Sequence, residues 1–367
     1  MHKTSAWPLA LSYTALIVYA CLYPFADWRD QGIAPWAFLT APLPKYWTWF
    51  DLIANVLGYA PLGFLLALSA LRSGGPARSA HAVLLATVAG GLLSLAMETL
   101  QSYLPVRVPS NVDLTLNLLG TWFGAVTAYS LEKLGAIDHW SRIRARWFVD
   151  DARGALVLLA LWPVALLFPA SVPLGLGQVM ERLEAALGEA LQDTPFLAWL
   201  PVREVELQPL IPGAELLCVM LGALIPCLLG YCIIRSKIRR AIFLMATIAV
   251  GICATALSAA LSYGPSHAWG WFSLPVQVGL GAAVLMALAL LAVPLRACAA
   301  LLLLALAVHL GLLNQAPASA YFSQTLQTWE QGRFIRFHGV VQWLGWLWPY
   351  AALVYVLVRV SRHAHET

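Results

Sequence analysis

Charged residues are scarce in this sequence. They make up 11% of 367 residues, whereas hydrophobic residues make up 60%. Soluble domains carry about 25% charged residues, and one soluble core cannot bury this much apolar surface. The scarcity of charge therefore excludes an ordinary soluble protein. It predicts an all-α fold, a polytopic bundle of transmembrane helices.

The sequence also lacks the short motifs of familiar catalytic and metal centres. It has no GxxxxGK[ST] loop for a nucleotide, no GxSxG elbow and no HExxH pair. Its six cysteines form no CxxC pair and its histidines do not cluster, so no disulfide framework, metal site or cofactor is predicted. We interpret the cysteines as small packing residues in apolar segments.

Ten apolar stretches have about the length that a helix needs to cross a bilayer. With the N-terminus inside, fifteen of the 22 Lys and Arg residues fall on the inner side and seven on the outer side. Because cytoplasmic loops collect basic residues, both termini are predicted to be cytoplasmic. The net charge of +4 then reflects topology, and no nucleic-acid partner is expected. The predicted spans are residues 7–25, 51–71, 81–104, 113–131, 154–171, 213–234, 241–261, 274–293, 297–313 and 339–358.

A basic connector divides the predicted spans into two domains. Residues 132–153 form the longest inner loop, which is either a short helix on the anionic inner leaflet or a solvated link. It separates a four-span domain, 1–131, from a six-span domain, 154–367. In the outer loop of the second domain, leucines four residues apart within 178–192 predict an amphipathic helix.

Polar side chains gather at one membrane level in spans 2 to 4. Within each span they are three or four residues apart, so they share a helix face. Ionisable groups inside spans are costly and mark functional sites by default. If the three faces meet, they form a polar pocket that opens outward. The residues are Asp51, Asn55, Glu98, Gln101, Arg107, Ser110, Asp113 and Asn117.

Two interpretations of this cluster stay open. In the functional one, Glu98, Asp51 and Asp113 are candidate catalytic acids or bases, since burial and mutual repulsion shift carboxylate pKa values. The amides, Ser110 and Arg107 would then bind the ligand. In the structural one, Asp51 and Asp113 stabilise helix N-termini, and the amides bind neighbouring helices together.

A second candidate lies just before span 10, where aromatic and cationic residues alternate. Arg333 and Arg336, three residues apart, are candidates to clamp a phosphate or carboxylate headgroup. The alternative is an interfacial anchor that sets the depth of span 10.

Four short motifs follow one another in the first domain. They are Leu22-Tyr23-Pro24-Phe25, Asp51-x3-Asn55-Val56-x4-Pro61-Leu62-Gly63-Phe64-Leu65, Glu98-x2-Gln101 and Arg107-x2-Ser110-x2-Asp113-x3-Asn117-x2-Gly120. In this order they resemble the VanZ-like family, over about residues 11–130. The resemblance implies a four-helix unit of the bacterial cytoplasmic (inner) membrane, in a family whose namesake is linked to lowered susceptibility to teicoplanin. The six-span extension departs from the short family members.

Three functions are compatible with these patterns. The first is a cell-envelope protein whose outer pocket binds, or binds and modifies, a lipid headgroup, an envelope precursor or a glycolipid. The second is a transporter or flippase, and the third is a non-catalytic membrane scaffold. Polar groups at one level favour the first, because a translocation path needs polar groups through the midplane. Membrane lipids are the expected partners, and the sequence specifies no oligomeric state.

Overall fold

The computed structural model describes residues 6–23, 25, 27–43, 49–73, 81–168, 170–199, 207–263, 265–317 and 335–364. Within these ranges the protein has twelve α-helices and no β-strand, which confirms the all-α prediction. Seven of the helices are long and apolar enough to cross a membrane. Each of the ten predicted spans overlaps a helix, whereas the number of crossings and the orientation stay predictions. The chain divides into two compact units, Met1–Ile143 and Arg144–Thr367.

The first unit is a bundle of four apolar helices followed by one short basic helix. The second and fourth helices pack together most extensively, the third contacts both, and the first contacts the second and third. The short basic helix falls within the predicted connector and carries the boundary between the two units. The helices are α1 (Ala6–Leu22), α2 (Trp49–Ser73), α3 (Ala82–Gln101), α4 (Asn111–Lys133) and α5 (Ala136–Trp147).

Glycines allow the close approach of α2 and α4. A Cβ added at Gly124 would collide with the Ala60 carbonyl oxygen, and one added at Gly63 would collide with the Thr121 carbonyl. Gly120, one turn before Gly124, faces α2 in the same way. Small residues four apart let helix backbones touch, which is the main source of packing energy between helices in lipid. The glycines therefore set the distance between these two helices.

The second unit is built around one central helix. In α8 (Pro212–Tyr231), 67% of the apolar stretch is buried inside the protein, about twice the share of the other candidate spans. Helices α6, α9, α10 and α11 all contact it. The remaining helices are α6 (Arg153–Ala165), α7 (Met180–Ala190), α9 (Lys237–Tyr263), α10 (Leu274–Ala289), α11 (Leu295–Leu313) and α12 (Ile335–Ala364).

A buried arginine joins three segments of the second unit. The Arg240 side chain is 3% exposed. It donates hydrogen bonds to the carbonyl oxygens of Tyr231 at 2.9 Å, Ile234 at 2.8 Å, Leu291 at 2.9 Å and Val293 at 2.6 Å. These carbonyls lie at and just beyond the end of α8 and in the turn after α10, where helix carbonyls lack partners within the helix. Arg240 therefore completes the hydrogen bonding of two helix ends.

The fifth predicted span, 154–171, differs from the structure. Helix α6 ends at Ala165 and covers only about 20 Å at 1.5 Å per residue. In the sequence Phe168 precedes a proline, which disfavours helical backbone at Phe168. The chain continues without helix from residue 170 to 179, yet Val172, Leu174 and Leu176 are buried. We call residues 170–179 the non-helical segment.

Candidate functional site

The predicted polar residues of the first unit lie at one end of its bundle. This is the end at which α1 and α3 finish and α2 and α4 begin, and we call it the polar end. Within its helix, each described candidate is close to that end, so the structure brings together residues from three helices and one turn. Their hydrogen bonds decide what each of them does.

Glu98 and Ser110 complete the N-terminus of α4. The Ser110 hydroxyl accepts hydrogen bonds from the backbone N–H groups of Val112 at 3.2 Å and Asp113 at 3.4 Å, which makes Ser110 the N-cap. Glu98, 3% exposed, accepts the backbone N–H of Ser110 at 2.9 Å. A carboxylate is stabilised at a helix N-terminus by the N–H groups and by the helix dipole. The two residues thus tie the end of α3 to the start of α4.

Asn55 and Asp113 join α2 to α4. The Asn55 amide donates to Asp113 Oδ1 at 2.7 Å. Asn55 is 9% exposed, whereas Asp113 is half-buried. In a capping box the third helical residue usually reaches back to the N-cap N–H. Here the N-cap N–H, that of Ser110, donates to Glu98. The Asp113 carboxylate accepts from Asn55 of α2 instead.

A second polar layer lies deeper in the bundle. The Asn117 amide donates to Ser94 Oγ at 2.9 Å. The buried Asn117 Oδ1 has no hydrogen-bond partner among the described residues. The buried Tyr59 hydroxyl lies near Ser94 and Glu98 but reaches no described atom at hydrogen-bond geometry. The polar cluster therefore extends inward from the polar end along α2, α3 and α4.

Gln101 and Arg107 hold the end of α1. The Gln101 amide donates to the Cys21 carbonyl at 3.0 Å. One Arg107 nitrogen donates to the carbonyls of Ala20 at 3.2 Å and Tyr23 at 2.8 Å. The last carbonyls of a helix have no partner within the helix and carry the negative end of its dipole. These two candidate ligand-binding residues thus act as a cap on α1.

The long loop between α1 and α2 packs over the polar end. The Arg29 backbone N–H donates to the Tyr103 carbonyl at 3.0 Å, and the Gln31 amide donates to the Ser102 carbonyl at 2.7 Å. The side-chain amide of Asn111, at the start of α4, donates to the Ala41 carbonyl at 2.7 Å. The described part of the loop is therefore attached to the turn between α3 and α4 and to the start of α4.

Three predicted site residues lie wholly or partly outside the residues that the structure describes. Asp51 is in α2 and Arg336 in α12, but their side chains are outside the described part of the chain. Arg333 lies outside the described residues altogether. The structure therefore tests neither the third carboxylate nor the Arg333 and Arg336 clamp, and both stay predictions.

The structure adds polar residues that the sequence interpretation left out. Ser94 is four residues before Glu98, and Tyr59 is four residues after Asn55, so the helical spacing used above predicts both of them on the site face. Gln31 and Asn111 carried no such signal, because their partners are distant backbone carbonyls. Within the described ranges, no three His, Cys, Asp or Glu side chains are grouped to hold a metal ion.

These features define a class of protein. The helices are long and apolar, small residues lie between them, and polar groups are buried at one end. This combination is typical of a multi-pass helical membrane protein.

Comparison with known families adds a more specific assignment for the first unit. Residues 7–132 match the VanZ/LLP1 family model, so the chain carries a VanZ-like domain over about a third of its length. This confirms the resemblance stated from the motifs. No curated protein and no solved structure matches the chain.

Proposed function

We propose that the VanZ-like unit binds the polar headgroup of a membrane lipid or of a lipid-linked envelope precursor at its polar end. The half-buried carboxylate of Asp113, oriented by Asn55 at 2.7 Å, carries the proposal. A carboxylate accepts hydrogen bonds from hydroxyl or ammonium groups, and such charge-assisted bonds are strong at the edge of a low-dielectric bundle. Glu98 is a positioning residue in this scheme, because it holds the N–H of Ser110.

The position of the polar groups favours binding over translocation. Asn55, Glu98 and Asp113 are all near one end of their helices. Transport of a headgroup across the bilayer needs polar groups along the whole path and at both mouths. A transporter or flippase would show protein-dependent movement of a labelled lipid between the leaflets of reconstituted vesicles, whereas we expect none.

An Asp113→Asn variant tests the proposal. The substitution keeps the size of the side chain and removes its charge. The full-length protein is purified in mild detergent, and the lipids that remain bound are quantified by mass spectrometry. We expect at least one lipid class to be retained by the wild type and about tenfold less by the variant, since a hydrogen bond to a charged group contributes about 1.5–3 kcal/mol.

Asp138→Asn is the matched control for this variant. Asp138 lies beyond the opposite end of the bundle and accepts a hydrogen bond from Arg72 at 2.6 Å, so its substitution should leave the bound lipids unchanged. Equal lipid retention by Asp113→Asn and the wild type would exclude headgroup binding by Asp113.

A membrane scaffold is the second candidate function. It is favoured by the observation that Gln101, Arg107 and Ser110 all bond to backbone groups of their own unit. A Glu98→Gln variant keeps an oxygen for the Ser110 N–H and nearly the same volume. A catalytic or charge-binding role of Glu98 predicts loss of the phenotype or of bound lipid, whereas a positioning role predicts that both persist.

A further inference from the structure

The second unit contains a cavity that the motifs of the first unit do not involve. Its volume is about 470 Å³, within the range of about 300–1,000 Å³ that small-molecule sites occupy. Leu166, Phe168, Ala259 and Trp271 form its apolar walls, and Glu215 and His267 contribute polar groups. The cavity therefore has the mixed lining of a ligand site.

The non-helical segment forms one wall of this cavity. Ser171 and Leu174 of the segment both line the cavity. A Cβ added at Gly222, near the middle of α8, would be 2.6 Å from the Leu174 carbonyl oxygen. The segment therefore reaches the level of the centre of a candidate span. Non-helical backbone at such depth is tolerated only where protein buries it or where it lines a cavity.

Contacts with two helices hold the segment in place. The Asn314 side chain, just after α11, accepts the backbone N–H of Val179 at 3.0 Å and donates to the Gly177 carbonyl at 3.2 Å. From α12, the Gly345 carbonyl accepts the Gly177 N–H at 2.8 Å, and the Tyr350 hydroxyl donates to the Gly177 carbonyl at 3.1 Å. These hydrogen bonds therefore fix the position of the segment that forms the cavity wall.

Glu215 contributes a carboxylate to the lining of the cavity. It is half-buried in the first turn of α8, and its carboxylate forms no hydrogen bond or ion pair with any described residue. The hydroxyls of Thr255 and Ser258 also line the cavity, but both donate to backbone carbonyls. A carboxylate among apolar walls is costly unless a cation accompanies it. Trp271 also lines the cavity, and an indole ring is a favourable neighbour for such a cation.

We propose that this cavity binds an amphipathic molecule through its ammonium group, which pairs with Glu215 while the apolar chain lies against Leu166, Phe168 and Ala259. The ammonium group belongs either to a lipid headgroup or to a free long-chain amine, since the chemistry of recognition is the same. The proposal concerns a second site and does not depend on headgroup binding by the VanZ-like unit.

Binding of radiolabelled dodecylamine tests the proposal. The full-length protein is placed in phosphatidylglycerol nanodiscs, whose lipid carries no ammonium group, and empty nanodiscs correct for partitioning. We expect saturable binding to the wild type. The affinity should fall about tenfold in Glu215→Gln, the loss expected for one charge-assisted contact. Dodecanol, which has no charge, should bind weakly and equally to both proteins.

Three further variants control this experiment. Glu189→Gln on α7 removes an exposed carboxylate outside the cavity and should change nothing. Glu215→Asp keeps the charge and should retain most of the affinity. Ala259→Leu fills part of the cavity and should weaken the binding of dodecylamine without loss of any charge. Absence of saturable binding, or equal binding to wild type and Glu215→Gln, would overturn the proposal.

A change of nanodisc lipid distinguishes the two sources of the ammonium group. Phosphatidylethanolamine added to the nanodisc should compete with dodecylamine in the wild type if a lipid headgroup is the ligand. No competition would assign the site to a free amine. Dodecylamine binding that persists in Glu215→Gln and is lost in Asp113→Asn would belong to the polar end of the first unit, so that the failure of one proposal is distinguishable from the failure of the other.

Discussion

Hydrogen bonds to helix ends account for many of the polar side chains at the polar end. Ser110 and Glu98 complete the start of α4, and Gln101 and Arg107 complete the finish of α1. In lipid, no water is available to form hydrogen bonds with an unpaired backbone group, and each such group costs several kcal/mol of stability. A side chain that caps a helix there stabilises the fold strongly. Among the described carboxylates of the polar end, Asp113 combines a side chain oriented by Asn55 with partial exposure.

Arg240 is the second example of such capping, and its substitution should be severe. Arg240→Gln cannot reach all four carbonyls at the ends of α8 and α10, so buried acceptors would be left unpaired. We expect the free energy of unfolding to fall by about 3 kcal/mol or more. The midpoint of denaturant-induced unfolding in mixed micelles measures this loss.

Arg235→Gln serves as the control for Arg240→Gln. Arg235 is exposed, five residues earlier in the chain, and its substitution should leave the midpoint unchanged. Equal midpoints for Arg240→Gln and the wild type would show that the four carbonyl contacts do not stabilise the unit.

Residue spacing predicted which side chains of the polar end share a helix face, but it did not identify their partners. The three- and four-residue intervals grouped Asn55, Glu98 and Asp113, and the same rule extends to Ser94 and Tyr59. That Arg107 donates to the carbonyls of Ala20 and Tyr23 depends on contacts 87 and 84 residues away in sequence. Such contacts follow from tertiary packing, which local pattern does not contain.

For two helices of the second unit, the boundaries predicted from hydropathy lie close to the observed helix boundaries. The predicted 274–293 became α10 (Leu274–Ala289) and its 3-10 turn, and 297–313 became α11 (Leu295–Leu313). Helix α6 ends at Ala165, before the end of the predicted span at residue 171, because hydropathy records burial and not conformation. The non-helical segment has buried apolar residues and is stabilised by contacts with α8, α12 and Asn314 just after α11.

The contact between α2 and α4 leads to a prediction at the scale of whole helices. Gly124→Ala would force the two backbones apart, and we expect a loss of about 1–3 kcal/mol, the usual range for overpacking. Gly58→Ala in α2 has no atom within 4 Å of the added Cβ, so helix propensity should make it neutral or slightly stabilising.

Thermal unfolding midpoints of the two purified variants compare these effects. A Gly124→Ala protein as stable as Gly58→Ala would mean that α2 and α4 are not in backbone contact. Stability is the suitable measure, because neither glycine has a side chain that could take part in ligand binding.

The orientation of the whole molecule is open to a direct test. An N-in, C-in arrangement places α5 on the cytoplasmic side and α7 on the outer side. A cysteine introduced at exposed His139 should react with a membrane-impermeant maleimide only after the cells are permeabilised. One introduced at exposed Ala185 should react in intact cells.

The opposite labelling pattern would reverse the orientation. It would also place the polar end of the first unit towards the cytoplasm. Labelling at both positions in intact cells would contradict the ten-span arrangement, since the two positions would then be separated by an even number of crossings, whereas that arrangement places one crossing, α6, between them.

The non-helical segment also constrains the order in which the second unit is synthesised and assembled. Its backbone groups at Gly177 and Val179 find partners on Asn314, Gly345 and Tyr350, which leave the ribosome more than a hundred residues later. Until then these groups cannot remain exposed to lipid. The segment must therefore stay in water or against an insertion factor, and it enters its place only when the last helix arrives.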